Sequence, residues 1–347
     1  MPTLRYLGWE GYANGTFAAS LRRNTGLEIT GENHLSDSEA AQRIRSEQAW
    51  DIININTPFA RDVLHPEGLL HTLPDALRVE VDLTGIFSRF RSPAESRQGE
   101  LIGIPQRCGP FNIVINEKRI SPSLAEEQGF SLALNADFSK RFGILTYEDF
   151  NVMHFALAAG LNPFRSFDSS EMTTFAQAAH RILRSARIVT CDHEFLNKAL
   201  VDQEIDFYVS GGIYTASSAR LAGRSEVRAI TPSKGPIAGK GGIAFVEINA
   251  ITQGSQSKAA AVDFLQFLAS DSGALAGSLA GGACNPVVQM HRRSMFASLS
   301  SEQLLAMQWD EFEEDMARCA EYEIVPDYDK RAAVIRSAAA LVATNQS

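Results

Sequence analysis

Two aromatic rings flank a carboxylate in Trp9-Glu10-Gly11-Tyr12, directly after the apolar run of residues 4–7. Ring faces attract cations, each contact worth about 0.5–2 kcal/mol, and a carboxylate neutralises them, so the set suits an amine. Phe245 and Glu247 pair a ring with an acid again, one residue apart in an otherwise apolar stretch. An acid in such a stretch needs a partner or water. Asn56 and Thr57 close a third apolar run and offer hydrogen bonds. Arg107 presents a planar fork that fits a carboxylate, phosphonate or phosphate. Its neighbour Cys108 is the one residue that could support covalent chemistry, with Arg107 lowering the thiol pKa and Glu247 acting as base. Each residue also has a plainer reading. Trp9 and Tyr12 fit core rings at a strand end, Asn56 a helix cap, Glu247 and Arg107 members of ion pairs, and Cys108 a small buried apolar side chain.

Other motifs fall away on their own chemistry. Residues 235–241, Gly-Pro-Ile-Ala-Gly-Lys-Gly, have one residue too few for a phosphate loop and put Gly241 where a magnesium-binding hydroxyl belongs. His193-Glu194 lacks the second histidine of a zinc helix, and no GxSxG elbow is present. Cysteines 108, 191, 284 and 319 show no CxxC or Cys–His spacing, so no metal and no cofactor is expected. Asn14-Gly15-Thr16 matches a glycosylation sequon, a triplet common by chance.

The elements that must position these residues alternate. Residues 4–7 read as a strand, and Asn14-Gly15-Thr16 as the cap of a helix carrying Phe17 and Leu21. Residues 27–30 form a second strand. Ser36-Asp37-Ser38-Glu39 fits a capping box before a second helix, and residues 50–56 read as a buried strand. This β-α-β-α-β order implies a parallel sheet with ligands beyond the carboxyl ends of its strands. Strands follow at 101–104, 112–116, 206–209, 228–231 and 243–248, with Ser210-Gly211-Gly212 as a turn. Helices follow at 147–159 and 172–185. Residues 257–270 form an amphipathic helix with Ala261, Phe264, Leu265 and Leu268 on one face, and a small-residue helix spans 272–280. Residues 234–242 read as a flexible loop, and the acidic run 310–315 as a solvated helix face.

The 347 residues suffice for two or three lobes. A hydrophobic fraction of 45% and a charged fraction of 21% exclude disorder. No apolar run approaches the roughly 20 residues of a membrane helix. Net charge −9 opposes nucleic acid and anionic membranes and mildly favours cationic or neutral solutes.

The order of segments resembles the periplasmic solute-binding proteins of ABC importers, in their spermidine/putrescine-binding branch. Residues 8–12 match that family's Trp-x-x-Tyr after the first strand. Trp50-Asp51-Ile52-Ile53 leading into Asn56-Thr57 matches its third strand. Gly103-Ile104-Pro105, Gly109 and Asn116 match its crossover strand, and residues 259–273 the helix pair before a late loop, here ending in Asn285-Pro286. The likeness spans about residues 4–290. It implies a type II fold of two α/β lobes, each a mostly parallel sheet flanked by helices: 1–108 plus 248–290, and 109–247 plus 291–347. A hinge of crossing strands would let the lobes close on a ligand.

On this resemblance Trp9 and Tyr12 form an aromatic wall, Glu10 and Glu247 neutralise an amine, and Asn56 and Thr57 hydrogen-bond. Phe245 and Glu247 match a Trp-x-Asp motif. Departures weaken the far end of a polyamine pocket. A second-lobe tryptophan falls on Gly212, with Tyr214 a partial replacement, and an acidic pair falls on Tyr147-Glu148 and Asn151. A late-loop tyrosine falls near Gly281-Gly282. Arg107 is new, and makes a zwitterion a serious competitor to a polyamine. The resemblance implies a monomer that binds a small amine or zwitterion and docks on a permease, with no nucleic-acid partner and no membrane insertion. It implies a periplasmic, non-enzymatic protein, although the start of the chain reads as a strand and not as a secretory leader. Two alternatives stand beside it: a thiaminase-like transferase using Cys108 and Glu247, since residues 104–108 also resemble the cysteine segment of type I thiaminases, and a cytosolic effector-binding domain.

Overall fold

The computed structural model describes residues 2–13, 15–47, 50–77 and 93–344. Among them run β1 (Thr3–Gly8), β2 (Glu28–Asn33), β3 (Ile52–Asn56), β4 (Ile104–Asn116), β5 (Phe142–Leu145), β6 (Ile188–Thr190), β7 (Phe207–Gly212), β8 (Val227–Ile230), β9 (Gly242–Ile251) and β10 (Cys319–Glu321). The chain divides into two compact units, 1–109 with 245–309 and 110–244 with 310–347. It passes between them at three places, the first two inside β4 and β9. Residues 291–309, read from sequence with the second lobe, lie in the first unit. Arg292 holds them there, donating to the Ala269 carbonyl at 2.8 Å and pairing with Asp271 at 3.2 Å.

In the first unit the expected β-α-β-α-β start is present. β1 lies between β2 and β3, parallel to both, and β9 pairs antiparallel with β3. Alternation along β3 sends Ile52 to one face and Ile53 and Ile55 to the other, because successive side chains point to opposite sides of a sheet. Ile52 joins a core with Tyr6, Tyr12, Phe17, Leu21, Phe264 and Leu268. Ile53 and Ile55 join a second core with Ala40, Ile44 and Trp50. The helix Gly15–Thr25 buries Phe17 and Leu21, and Lys258–Ala269 buries Ala261, Phe264, Leu265 and Leu268, as their spacing predicts. The expected cap at Asn14, and the sequon it opens, lie outside the described residues.

The second helix, Asp37–Ser46, is capped by Ser36, whose Oγ accepts from the Glu39 amide at 3.1 Å. Losing an N-cap hydroxyl costs about 1 kcal/mol, so Ser36→Ala should lower the unfolding free energy by that amount, read as a lower denaturation midpoint at unchanged slope. An unchanged midpoint would show that the cap bond contributes nothing.

Sequence and structure part in the middle of the chain. β4 is one strand of 13 residues, buried throughout, where Pro105, Gly109 and Pro110 suggest two separate strands. In the second unit β4 pairs antiparallel with β7 and β8, and β5 pairs parallel with β7 and β6. Ser210, Gly211 and Gly212 belong to β7, and the helix Ile213–Leu221 starts directly after them. The loop before β9 is tied by backbone bonds, Gly235 to Gly239 at 3.2 Å and Gly241 to Arg318 at 3.2 Å. The acidic run does not form a wholly solvated face: Phe312 and Asp315 are buried in the helix Phe312–Ala317, and burial lifts the Asp315 carboxyl to about 7.

Candidate functional site

β3 and β9 place the acid. In their antiparallel register Asn56 stands opposite Glu247 and Asn54 opposite Asn249. Residues two apart share a face, so Asn54, Asn56, Glu247 and Asn249 form a polar patch on the face that carries Ile52. None of the four is exposed. Tyr12 donates its hydroxyl to Glu247 Oε2 at 3.4 Å, and Asn54 also bonds the carboxylate. Tyr6 donates to Asn249 at 3.1 Å. Burial is the largest influence on Glu247 and raises its pKa, against the lowering pull of Arg107 and of these hydrogen bonds. Asn54 and Asn249 were not among the residues singled out from sequence. Their signal is the alternation of asparagine with isoleucine in Ile52-Ile53-Asn54-Ile55-Asn56 and in Glu247-Ile248-Asn249.

Asn56 is a locked side chain with one atom to spare. Its Nδ2 donates to Asp37 Oδ2 at 2.8 Å and its amide to Asp37 Oδ1 at 3.1 Å, while its buried Oδ1 has no partner. Thr57 spends its hydroxyl on the Val246 carbonyl at 3.1 Å, tying the end of β3 to β9.

The segment after β1 is arranged differently from an aromatic wall. The Trp9 ring lies 4.5 Å from His34, its amide donates to Asn54 Oδ1 at 3.2 Å, and 8% of the residue is exposed. Burial lowers the His34 pKa to about 4, so its imidazole is neutral at pH 7. Tyr12 is fully buried, 5.2 Å from Phe17 and 5.8 Å from Tyr6, and only its hydroxyl end meets Glu247. The Glu10 side chain is exposed; its contribution to the cluster is its carbonyl, which accepts from Arg107 Nη1 at 2.9 Å.

Arg107 is buried, its guanidinium 4.1 Å over the Tyr12 ring, and its Nε donates to the Gly277 carbonyl at 3.2 Å. The structure therefore gathers Tyr12, Asn56, Thr57, Arg107 and Glu247 about the β3–β9 pair within the first unit. Phe245 is buried in β9 of the same unit. Cys108 is buried beside Arg107 in β4, and burial, with the Glu247 charge adding to it, raises its thiol pKa strongly. A nucleophilic thiolate needs the opposite shift. Among the described residues none of the four cysteines is in a disulfide.

Tyr147 and Tyr214 belong to the second unit. Tyr147 precedes the helix Glu148–Ala158, its ring 5.6 Å from Phe150, and Tyr214 donates to the Ser210 carbonyl at 3.0 Å. Phe111 links them, 4.2 Å from Phe150, 6.4 Å from Tyr214 and 5.9 Å from Tyr322. This unit thus carries a ring cluster that the sequence does not reveal, because Phe111, inside β4, and Tyr322, directly after β10, are distant in the chain. Glu148 is occupied by Arg336 and Tyr328, and Asn151 by the Leu145 carbonyl and Ser210. Among the described residues no group of three or more His, Cys, Asp and Glu side chains is placed to hold a metal, and no helix is long and apolar enough to cross a membrane.

Protein-family models give no match to this sequence, and neither do curated proteins. Solved structures do. A putative spermidine/putrescine ABC transporter from Listeria monocytogenes aligns with a TM-score of 0.75 at 11% identity, over 99% of this chain and 100% of its own. The Tp0655 (TpPotD) lipoprotein of Treponema pallidum aligns at 0.71 and 13% identity, over 97% and 99%. The Atu4243-GABA receptor aligns at 0.63 and 16% identity, over 99% and 98%. The chain has the fold of these type II binding proteins along nearly its whole length.

Proposed function

We propose that this chain is the solute-binding component of an ABC importer and captures a small amine-bearing solute. The observation that carries the reading is the cross-strand register that sets Asn56 opposite Glu247, bringing to neighbouring strands a buried carboxylate and a buried amide oxygen with no partner. An ammonium group has three donors and no acceptor, so it satisfies both. Tyr12 positions the carboxylate through its hydroxyl. Capture followed by delivery needs no thiolate, metal or cofactor, and the raised pKa of Cys108 agrees with a protein that binds without reacting. On this reading the partner is a permease and the chain works outside the cytoplasmic membrane. The shared fold supports the proposal, as do structural neighbours described as a spermidine/putrescine transporter and a GABA receptor.

A thermal-shift screen of putrescine, spermidine, ω-amino acids and aminophosphonates tests it. A ligand at a hundred times its Kd stabilises the folded state by about 2.7 kcal/mol, a rise in Tm of a few degrees for a chain of this size. No shift with any amine-bearing solute at millimolar concentration would end the proposal.

A further inference from the structure

Around Asp315 the hydrogen bonds do not close if the side chain is a carboxylate. Asp315 lies in the helix Phe312–Ala317 and is buried. Its carboxyl bonds the Thr231 side chain, while its Oδ2 is buried without a partner. Thr231 directly follows β8, and its hydroxyl also meets Asn112 of β4. Asn112 satisfies its neighbours in one amide orientation. Its Nδ2 donates to the Pro110 carbonyl at 2.9 Å, and its Oδ1 accepts from the Thr231 amide at 3.1 Å and from Thr231 Oγ1 at 2.6 Å.

A hydroxyl has one proton to give. Turned toward a carboxylate, the Thr231 hydroxyl would leave two bare acceptor oxygens 2.6 Å apart at Asn112. Turned toward Asn112, it faces Asp315 as an acceptor, and that contact is a hydrogen bond only when the carboxyl carries a proton. The charges nearby do not supply a cation in its place. Arg318 is spent on Glu126 at 3.3 Å, on Glu314 and on the Thr231 carbonyl at 3.4 Å. Arg228 pairs with Glu311 and Glu117, and Lys240 donates to the Ala317 carbonyl. Burial is the largest influence on Asp315 and favours the proton, and the Glu311 and Glu126 charges add to it against Arg318.

We propose that Asp315 is a pH-sensitive latch: protonated, it donates to Thr231 and so ties the helix Phe312–Ala317 through Asn112 to Pro110, and losing that proton as pH rises releases the helix. The chain of bonds lies within the second unit, and each end stands next to a passage of the polypeptide out of that unit. Pro110 is the first residue after the passage in β4, and the helix follows the passage at 309–310. Acid therefore stiffens the roots of both passages and alkali loosens them. The device is independent of which solute the chain binds.

Carbon-13 NMR of the aspartate carboxyls in the full chain, with the Asp315 signal identified by its absence from Asp315→Asn, tests the latch. Asp315 should titrate at least about two pH units above the roughly 4 of a free aspartate. Asn112→Leu keeps the side chain's branched shape and removes its amide, so the Thr231 hydroxyl is free to turn to the carboxylate. The Asp315 titration should then move down by about one pH unit, the scale of one bond to a charged group. Amide hydrogen exchange in residues 312–317 reads the release. A raised carboxyl contributes stability that is fully present below its unfolded pKa and is lost as pH rises to the folded value. Asp315→Asn keeps a donor toward Thr231 at every pH. Between about pH 5 and about pH 8 the wild type should therefore lose at least about tenfold more protection than Asp315→Asn. Three results would each overturn the proposal: a wild-type titration near 4, a midpoint that does not fall in Asn112→Leu, or equal loss of protection in wild type and Asp315→Asn. The wild-type titration stands as a test even if a variant fails to fold.

Discussion

Glu247→Gln should lower affinity for any amine-bearing ligand about a hundredfold, because cutting one side of a buried charge pair costs about 2–5 kcal/mol. The same substitution should leave the ligand-free protein as stable as the wild type or more so at pH 7. Burial raises the folded pKa of Glu247 above its unfolded value, even with Arg107 and two hydrogen-bonding neighbours opposing it. For a carboxyl raised in this way, stability is fully present below the unfolded pKa, about 4. It is lost as pH rises through the folded value, since the folded state binds the proton more tightly. Glutamine removes that slope. Melting curves of both proteins from pH 4 to pH 8 should therefore converge at the acid end and separate toward neutrality, with the variant higher. A residue that holds an ammonium ion is expected to destabilise the empty site in this way. Unchanged amine affinity in the variant would remove Glu247 from the site. A variant less stable than wild type at pH 7 would show that the carboxylate serves the fold.

The sequence discloses types better than it discloses commitments. Glu247 and Trp9 are conspicuous because a carboxylate in an apolar strand and a ring after a first strand have few roles. The β-α-β-α-β start is legible from period-two and period-3.6 patterns, as is the helix Lys258–Ala269 with its four buried apolar residues. Arg107 is conspicuous too, yet its grip is not. Its bonded partners are carbonyls of residues 97 and 170 positions away, and a carbonyl leaves no signature in the side-chain code. Tyr12 was read as a wall and packs into the core, because a ring at a strand end fits either place. β4 was hidden by Pro105, Gly109 and Pro110, which normally punctuate a strand. Its full burial along 13 residues leaves no alternation to read. The helix Ile213–Leu221 was missed for a related reason: its apolar residues are interspersed with Thr, Ser and Ala and form no stripe.

In the second unit the largest loss of stability should come from Arg331→Met, about 3 kcal/mol. Arg331 lies in the helix Tyr328–Thr344, has no exposed surface, and donates to the Pro163 carbonyl at 2.6 Å and the Arg165 carbonyl at 2.5 Å. Its guanidinium sits 3.5 Å over the Phe167 ring. Each charge-assisted bond contributes about 1.5 kcal/mol or more, and the desolvated cation–ring contact about 2 kcal/mol. Against these stands the cost of burying the charge, which lowers the Arg331 pKa to about 10 and is relieved when methionine replaces it. Methionine keeps the volume, so cavity formation adds little. What remains is two carbonyls without donors and a helix no longer pinned to residues 163–167. Urea denaturation should show the midpoint falling with an unchanged slope. Leu341→Ser, on the same helix but 56% exposed, should stay within about 0.5 kcal/mol of wild type. A midpoint for Arg331→Met as high as that of Leu341→Ser would mean that the relief of desolvation balances both carbonyl bonds, and the pinning role assigned to Arg331 would fall.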